Sequence, residues 1–274
     1  MAAEMCVGGM VWSLGDMHEL YEQIAWFAEQ GFDGVDFHTQ PSFTDRWASF
    51  DVRKASADDR RGLKEALAPF DEVSIHGESF AYDITFDSPN ELVRRASVEA
   101  LRGSIELAAE IGAPVVTVHR GKADAQWAGA VLHEAFARSI AELAAMAEEA
   151  GVTVGFEIEA DYDLVLATEG PVGITIDTGH QSLEQGAGYR QFGTLGNLIR
   201  HLGERVIHVH VHDYDGANDH LAIGAGNVDF PEVLGALRDI NYTGMMCLEL
   251  NPQRTTAEDW VKSRDALREI LAEL

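Results

Sequence analysis

Hydrophobic and polar positions alternate along this chain at two periods. Short aliphatic and β-branched runs recur about every 30 residues, and between them apolar residues fall at the three-and-four spacing of a helix face. The runs are MCVGGMVW (Met5–Trp12), GVDF (Gly34–Phe37), VSIH (Val73–His76), VVTVH (Val115–His119), TVGFE ending at Glu157, GITID ending at Asp177, VIHVHV beginning at Val206, and MMCLEL beginning at Met245. Helical spacing covers Leu20, Ile24 and Phe27–Ala28, with a cap at Asp16 and a stop at Gly31. It returns over Asp58–Leu67, an alanine-rich stretch ending near Gly112, His133–Ala150, a stretch ending near His201, Pro231–Ile240 and Thr256–Leu274. The link from Glu157 to Pro171 has room only for a stunted helix. Strand alternating with helix predicts parallel strands joined by crossover helices, and eight such units predict a (β/α)8 TIM barrel, one domain over residues 1–274. A doubly wound open sheet would instead place a GxGxxG turn after the first strand, and that motif is absent.

In a barrel of this kind, the residue at the C-terminal end of each strand faces the mouth. Those ends read His76, His119, Glu157, Asp177, His210 and Glu249. The segments are otherwise apolar, so their polar ends imply one shared site. Glu157, Asp177, His210 and Glu249 form a set of three carboxylates and one imidazole, the donor chemistry of a divalent ion. Mn²⁺ suits that set best, with Mg²⁺, Co²⁺ and Zn²⁺ as alternatives, and the lack of thiolates argues against a closed structural zinc. An ion with open positions would chelate two substrate oxygens and stabilise the enediolate formed when a proton leaves beside a carbonyl. Glu157 and Glu249 then act as base and acid on opposite faces of that carbon.

Three further histidines and one aspartate bear on the site. His180, three residues after Asp177, sits just above the ion, where it bonds a substrate oxygen, moves a proton or orients a ligand. His208 shares the face of His210 one layer deeper, in the core or beneath a ligand, and His212 lies further out along the mouth. Asp213 has the parity to cap the following loop. Trp12, Phe37, Phe80 and Trp127 are candidates for the pocket wall as well as for core packing. Arg46, Arg120, Lys122, Arg190 and Arg254 are candidates for anion contacts as well as for solvated surface charge.

Composition narrows the function classes. The 274 residues carry 46 acidic and 20 basic side chains, a formal net charge of −26. Such a field repels nucleic-acid phosphates and anionic membranes, so neither is expected as a partner. No apolar run reaches the length of a membrane span, and the opening MAAEMCVGG has no basic segment followed by an apolar one. With Cys6 and Cys247 both inside apolar runs, the expectation is two reduced core thiols in a cytoplasmic protein.

At these residues the chain resembles the xylose isomerase-like superfamily of sugar isomerases and epimerases, which also includes endonuclease IV. The resemblance rests on GFDGVDF, GVTVGFE, GITIDTGH, HVHVHD followed by HLAIGAGNVDF, and the final LE, in that order. It implies that Glu157, Asp177, His210 and Glu249 hold one divalent ion, that His76, His119 and His180 face a sugar or cyclitol substrate, and that the chain associates into dimers. Ketose 3-epimerases carry Asn-Arg-Phe-Glu where Ile158–Asp163 reads IEADYD, and an Arg where Gly216 stands. The run His210–Asp213 resembles the His-x-Lys-Asp of inosose dehydratases with His212 in place of the Lys. Dehydratase or keto-sugar lyase chemistry therefore stays open beside isomerisation and epimerisation. The resemblance to endonuclease IV, a trinuclear zinc enzyme, extends to His76, His119, Glu157, Asp177, His180, His210, His220 and Glu249, with Asn218 where its remaining Asp would fall. A barrel that binds a sugar without turning it over, or serves as a subunit of a complex, is the remaining reading.

Overall fold

The structure, a computed structural model, describes residues 5–12, 14, 17–41, 48–77, 84–121, 128–182 and 187–274. Asp16, Arg46, Phe80, Lys122 and Trp127, named above, lie outside them. Eight parallel strands close into a barrel in sequence order: β1 (Cys6–Val11), β2 (Gly34–His38), β3 (Glu72–His76), β4 (Val115–His119), β5 (Thr153–Glu157), β6 (Val172–Asp177), β7 (Val206–Val211) and β8 (Met245–Leu248). Around it run α1 (Leu20–Glu29), α2 (Ala57–Leu67), α3 (Glu91–Ala100), α4 (Arg102–Ile111), α5 (Gly129–Ala150) and α6 (Tyr162–Leu166). The ring is completed by α7 (Thr178–Ser182), α8 (Ala187–Phe192), α9 (Leu195–Leu202), α10 (Phe230–Asp239) and α11 (Ala257–Glu273). No helix among the described residues is long and apolar enough to cross a membrane.

Local chemistry accounts for the boundaries. Ser56 with Asp59, and Thr256 with Asp259, form reciprocal capping boxes at α2 and α11. Gly112 and Gly151 take the left-handed conformation that ends α4 and α5. The alanine-rich stretch is two helices rather than one, because the chain tightens at Leu101, whose N–H reaches back three residues to the Val98 carbonyl at 3.3 Å. Helix α5 begins at Gly129, four residues before His133. Strand β2 runs one residue past Phe37, and that extra residue is His38.

The barrel stagger decides which side chains meet at the mouth. His38 pairs with His76, and His119 with Glu157, but Thr117 pairs with His76 and Thr175 with Glu157. The ladder thus climbs two residues at β4 and again at β6, and Asp177 pairs with His210. A closed sheet with tilted strands requires such steps, and each step of two keeps the same residue parity pointing inward. Two residues below the mouth on the same parity lie Asp36, Ser74, Thr117, Gly155, Thr175, His208 and Cys247. This layer is polar yet satisfied in large part. Ser74 Oγ donates to Asp36 and lies 3.3 Å from His208 Nε2, while Thr117 and Thr175 share a 2.9 Å hydroxyl bond. His208 is therefore a buried member of the layer beneath the site, and its Nε2 approaches Asp36 to 3.5 Å.

Outside the barrel wall the helices pack through aromatic residues. Phe27 meets Phe32 edge-on at 4.8 Å and Trp260 at 5.4 Å, joining α1 to the fully buried Trp260 of α11. Cys6 and Cys247 are both free thiols. Burial pushes the Cys247 thiol up, so it stays protonated.

Candidate active site

All seven residues read from the sequence as site residues lie at the C-terminal mouth. Glu157, at the end of β5, is their hub. Its Oε2 lies 3.1 Å from His210 Nδ1, 3.7 Å from His119 Nε2 and 3.8 Å from His76 Nε2, and its Oε1 lies 3.2 Å from His180 Nδ1. Glu249, one residue past β8, brings Oε2 to 3.0 Å from the same His210 Nδ1. That contact lies outside hydrogen-bond alignment, and among the described residues neither Glu249 Oε2 nor the buried His210 Nε2 has a hydrogen-bond partner. Asp177, at the end of β6, is wholly buried and accepts the His180 backbone N–H at 2.6 Å.

These groups fix one another's charge. Burial opposes ionisation of Glu157, but His119, His210 and His180 outweigh it and hold the carboxyl well below its ordinary range. Burial likewise opposes a charge on Glu249, and His210 and His220 hold it low. His210 is raised well above the usual imidazole range, because Glu249 and Glu157 overcome its desolvation. Asp177 and, against burial, Glu157 push His180 up to about 11.

Donor atoms bound at about 2.1 Å to an octahedral ion lie about 3 Å apart. The spacing of His210 Nδ1 from both glutamates matches that edge. Glu157, Asp177 and His210 each bring one donor atom within 4.8 Å of the others. The orphaned oxygen of Glu249 beside them adds a fourth donor. The set therefore fits a divalent ion of hard or borderline character.

The chain matches over residues 24–270 the family described as xylose isomerase-like TIM barrel. It belongs to that family. An uncharacterised protein of Methanocaldococcus jannaschii is 33% identical over 223 residues, 73% of this chain and 71% of that one. The L-ribulose 3-epimerase of Mesorhizobium japonicum is 25% identical over 289 aligned positions, covering 99% of this chain and 89% of its own. Among solved structures, a D-tagatose 3-epimerase-like protein superposes with a TM-score of 0.78 at 27% identity, with 98% of each chain covered.

The mouth also holds residues that the sequence reading placed elsewhere or passed over. His38 lies with its ring centroid 4.5 Å from that of His76 and 6.5 Å from that of Trp12. Taking β2 as ending at Phe37 hid it, although its parity with the inward Asp36 was the available signal. Phe37 itself is buried wholly in the core rather than in the pocket wall. His212 is fully buried, 2.9 Å from Asp177, and not an outer lining residue. Asp219, rather than Asn218, is the acid beside His180 and His220, at 4.0 and 3.3 Å. Asn218 instead closes a turn on Asp215. Arg120 is held by Asp87 at 2.8 Å and by Asp161, and Arg254 approaches Asp219 to 3.9 Å.

Asp213 caps the loop that follows β7. Its Oδ1 accepts the N–H groups of Tyr214 and Val228, and its Oδ2 those of Gly224 and Gly226. That loop carries Asp219 and His220 back over the mouth.

Proposed function

We propose that this chain is a divalent-metal-dependent isomerase or epimerase of a sugar or cyclitol, working by proton transfer next to a carbonyl. The observation that carries the reading is the approach of Glu157 and Glu249, from β5 and β8, to one nitrogen of His210 beside Asp177. The names of the relatives, sugar 3-epimerases among them, support it. Glu157, Asp177, His210 and Glu249 would hold the ion, Mn²⁺ by preference and otherwise Mg²⁺, Co²⁺ or Zn²⁺. When bound, that ion would polarise the substrate carbonyl and offset the charge that develops on its oxygen.

The protein's own groups supply the rest. Glu157, kept ionised by the imidazoles around it, takes the proton on one face, and Glu249, also ionised at rest, returns one on the other face after taking it up from solvent. His76, His119 and His180 face the substrate and orient its hydroxyls. Loss of a hydroxide from the same carbanion-like species would make the reaction a dehydration, and the departures from the ketose 3-epimerase pattern at Ile158–Asp163 and Gly216 keep that outcome within the proposal. Free thiols at Cys6 and Cys247 support a cytoplasmic setting.

The test is isotope exchange. The Mn²⁺-loaded protein is incubated in deuterated water with ketoses, aldoses and inososes in turn, and NMR follows deuterium at the carbons flanking each carbonyl. Exchange at one such carbon in one substrate class is expected. A protein loaded with its ion that exchanges no proton in any of the three classes would overturn the assignment.

A further inference from the structure

We propose that His212 is a positioning residue: its Nε2–H holds the Asp177 carboxylate in place, and the backbone of His220 sets the tautomer that allows it. The inference rests on the one-ion reading above. Both oxygens of Asp177 lie within hydrogen-bond reach of His212 Nε2, at 2.9 and 3.0 Å. A neutral imidazole has one donor nitrogen and one acceptor nitrogen, and geometry alone seldom says which is which. Here it does. The His220 backbone N–H, which can only donate, reaches His212 Nδ1 at 2.8 Å. Nδ1 must therefore accept, and the proton must sit on Nε2, facing Asp177. The Asp213 carbonyl at 3.2 Å from Nδ1 is then a neighbour and not an acceptor from it.

The same tautomer keeps His212 from binding a second ion. Asp177, His180, His212 and His220 gather one donor atom each within 4.8 Å, which looks like a second ion site. With Nδ1 accepting and Nε2 protonated, neutral His212 has no lone pair left for a metal. It serves the carboxylate instead.

The surroundings are built for that ring. A methyl group on Gly179 would collide with it, so the glycine of the IDTGH run leaves the space that the ring fills. Thr178 Oγ1 donates to the His212 carbonyl at 2.7 Å and accepts its N–H at 2.9 Å. The His220 ring stacks on His212 at 4.0 Å, tilted by 13°. His220 takes a left-handed φ of 52°, and the Asn251 N–H holds its carbonyl at 2.8 Å. Thr178, Gly179 and His220 thus clamp one imidazole, and that imidazole together with the His180 N–H aims Asp177. Removing such an outer partner of a metal ligand costs 10–100-fold in metal affinity.

The experiment uses metal-free protein titrated with Mn²⁺, with the free ion read by electron paramagnetic resonance. His212→Leu is expected to bind Mn²⁺ about 10–100-fold more weakly than wild type. His212→Gln, which restores an N–H donor at similar reach, is expected to recover most of that loss. A Leu variant that binds as tightly as wild type would overturn the proposal, as would a Gln variant as weak as Leu. Long-range ¹H–¹⁵N correlation of the wild-type imidazoles reads the tautomer without any variant: Nε2–H on His212 is expected, and Nδ1–H refutes it. A wild-type protein with the Nε2–H tautomer that takes up no Mn²⁺ would strike instead at the ion reading.

Discussion

Asp213→Asn tests how the mouth is held together. The buried carboxylate accepts four backbone N–H groups at 2.8, 2.9, 2.8 and 3.0 Å, two on each oxygen. An amide keeps one oxygen, so its best orientation preserves two bonds and turns an NH₂ group toward the other two donors. Hydrogen bonds to a charged group contribute about 1.5–3 kcal/mol each, so losing two costs about 3–6 kcal/mol. That is a large share of the roughly 5–15 kcal/mol that keeps a domain folded. If the loop opens locally and water reaches Gly224 and Gly226, the global cost falls and the loss appears as local exchange. Urea unfolding of wild type and variant measures the first quantity, and amide hydrogen exchange at Gly224 and Gly226 the second. A variant within about 1 kcal/mol of wild type, with both amides still protected, would refute the claim that this carboxylate organises the loop.

Two further outcomes follow from the geometry. Arg94, buried between α3 and α5, holds Glu91 at 2.7 Å and Glu142 at 2.6 Å, and its bonds lower the Glu91 carboxyl from 4.5 to about 2. A carboxyl lowered on folding stabilises the fold above its unfolded pKa and loses that contribution as pH falls, here between pH 4.5 and about 2. Melting temperatures of Glu91→Gln should fall less steeply with acid over that window than those of wild type, and parallel curves would contradict the pairing. Glu157→Gln removes the proposed proton acceptor together with a charged contact to four imidazoles. It should slow proton exchange at least about 10³-fold and weaken ion binding, and an unchanged kcat would remove Glu157 from its role.

The barrel was legible because its strands are short apolar runs whose last residues are polar. His76, His119, Glu157, Asp177, His210 and Glu249 announce themselves as the one polar end of an otherwise buried segment, and the structure brings all six to one mouth. What stayed hidden depends on information outside any single run. His38 required knowing that β2 extends one residue further. The contact of His212 with Asp177 depends on the pairing of β7 with β6, where the register shifts between Ile174 and Thr175. The exchange of Asn218 for Asp219 depends on the left-handed turn at His220, which no spacing of residues reveals. Loop conformation and strand register are long-range properties, and those are where local pattern falls short.

The central claim is that Glu157, Asp177, His210 and Glu249 hold one divalent ion. The measurement is metal content per chain by plasma mass spectrometry, on protein purified without added metal or chelator. The account predicts about one equivalent of manganese, or of magnesium, cobalt or zinc in its place. It predicts none in a chain carrying Glu157→Gln, Asp177→Asn and His210→Gln together. A wild-type chain with no metal, and no uptake on titration, would contradict it. So would close to three zinc ions per chain, the number that the resemblance to endonuclease IV implies.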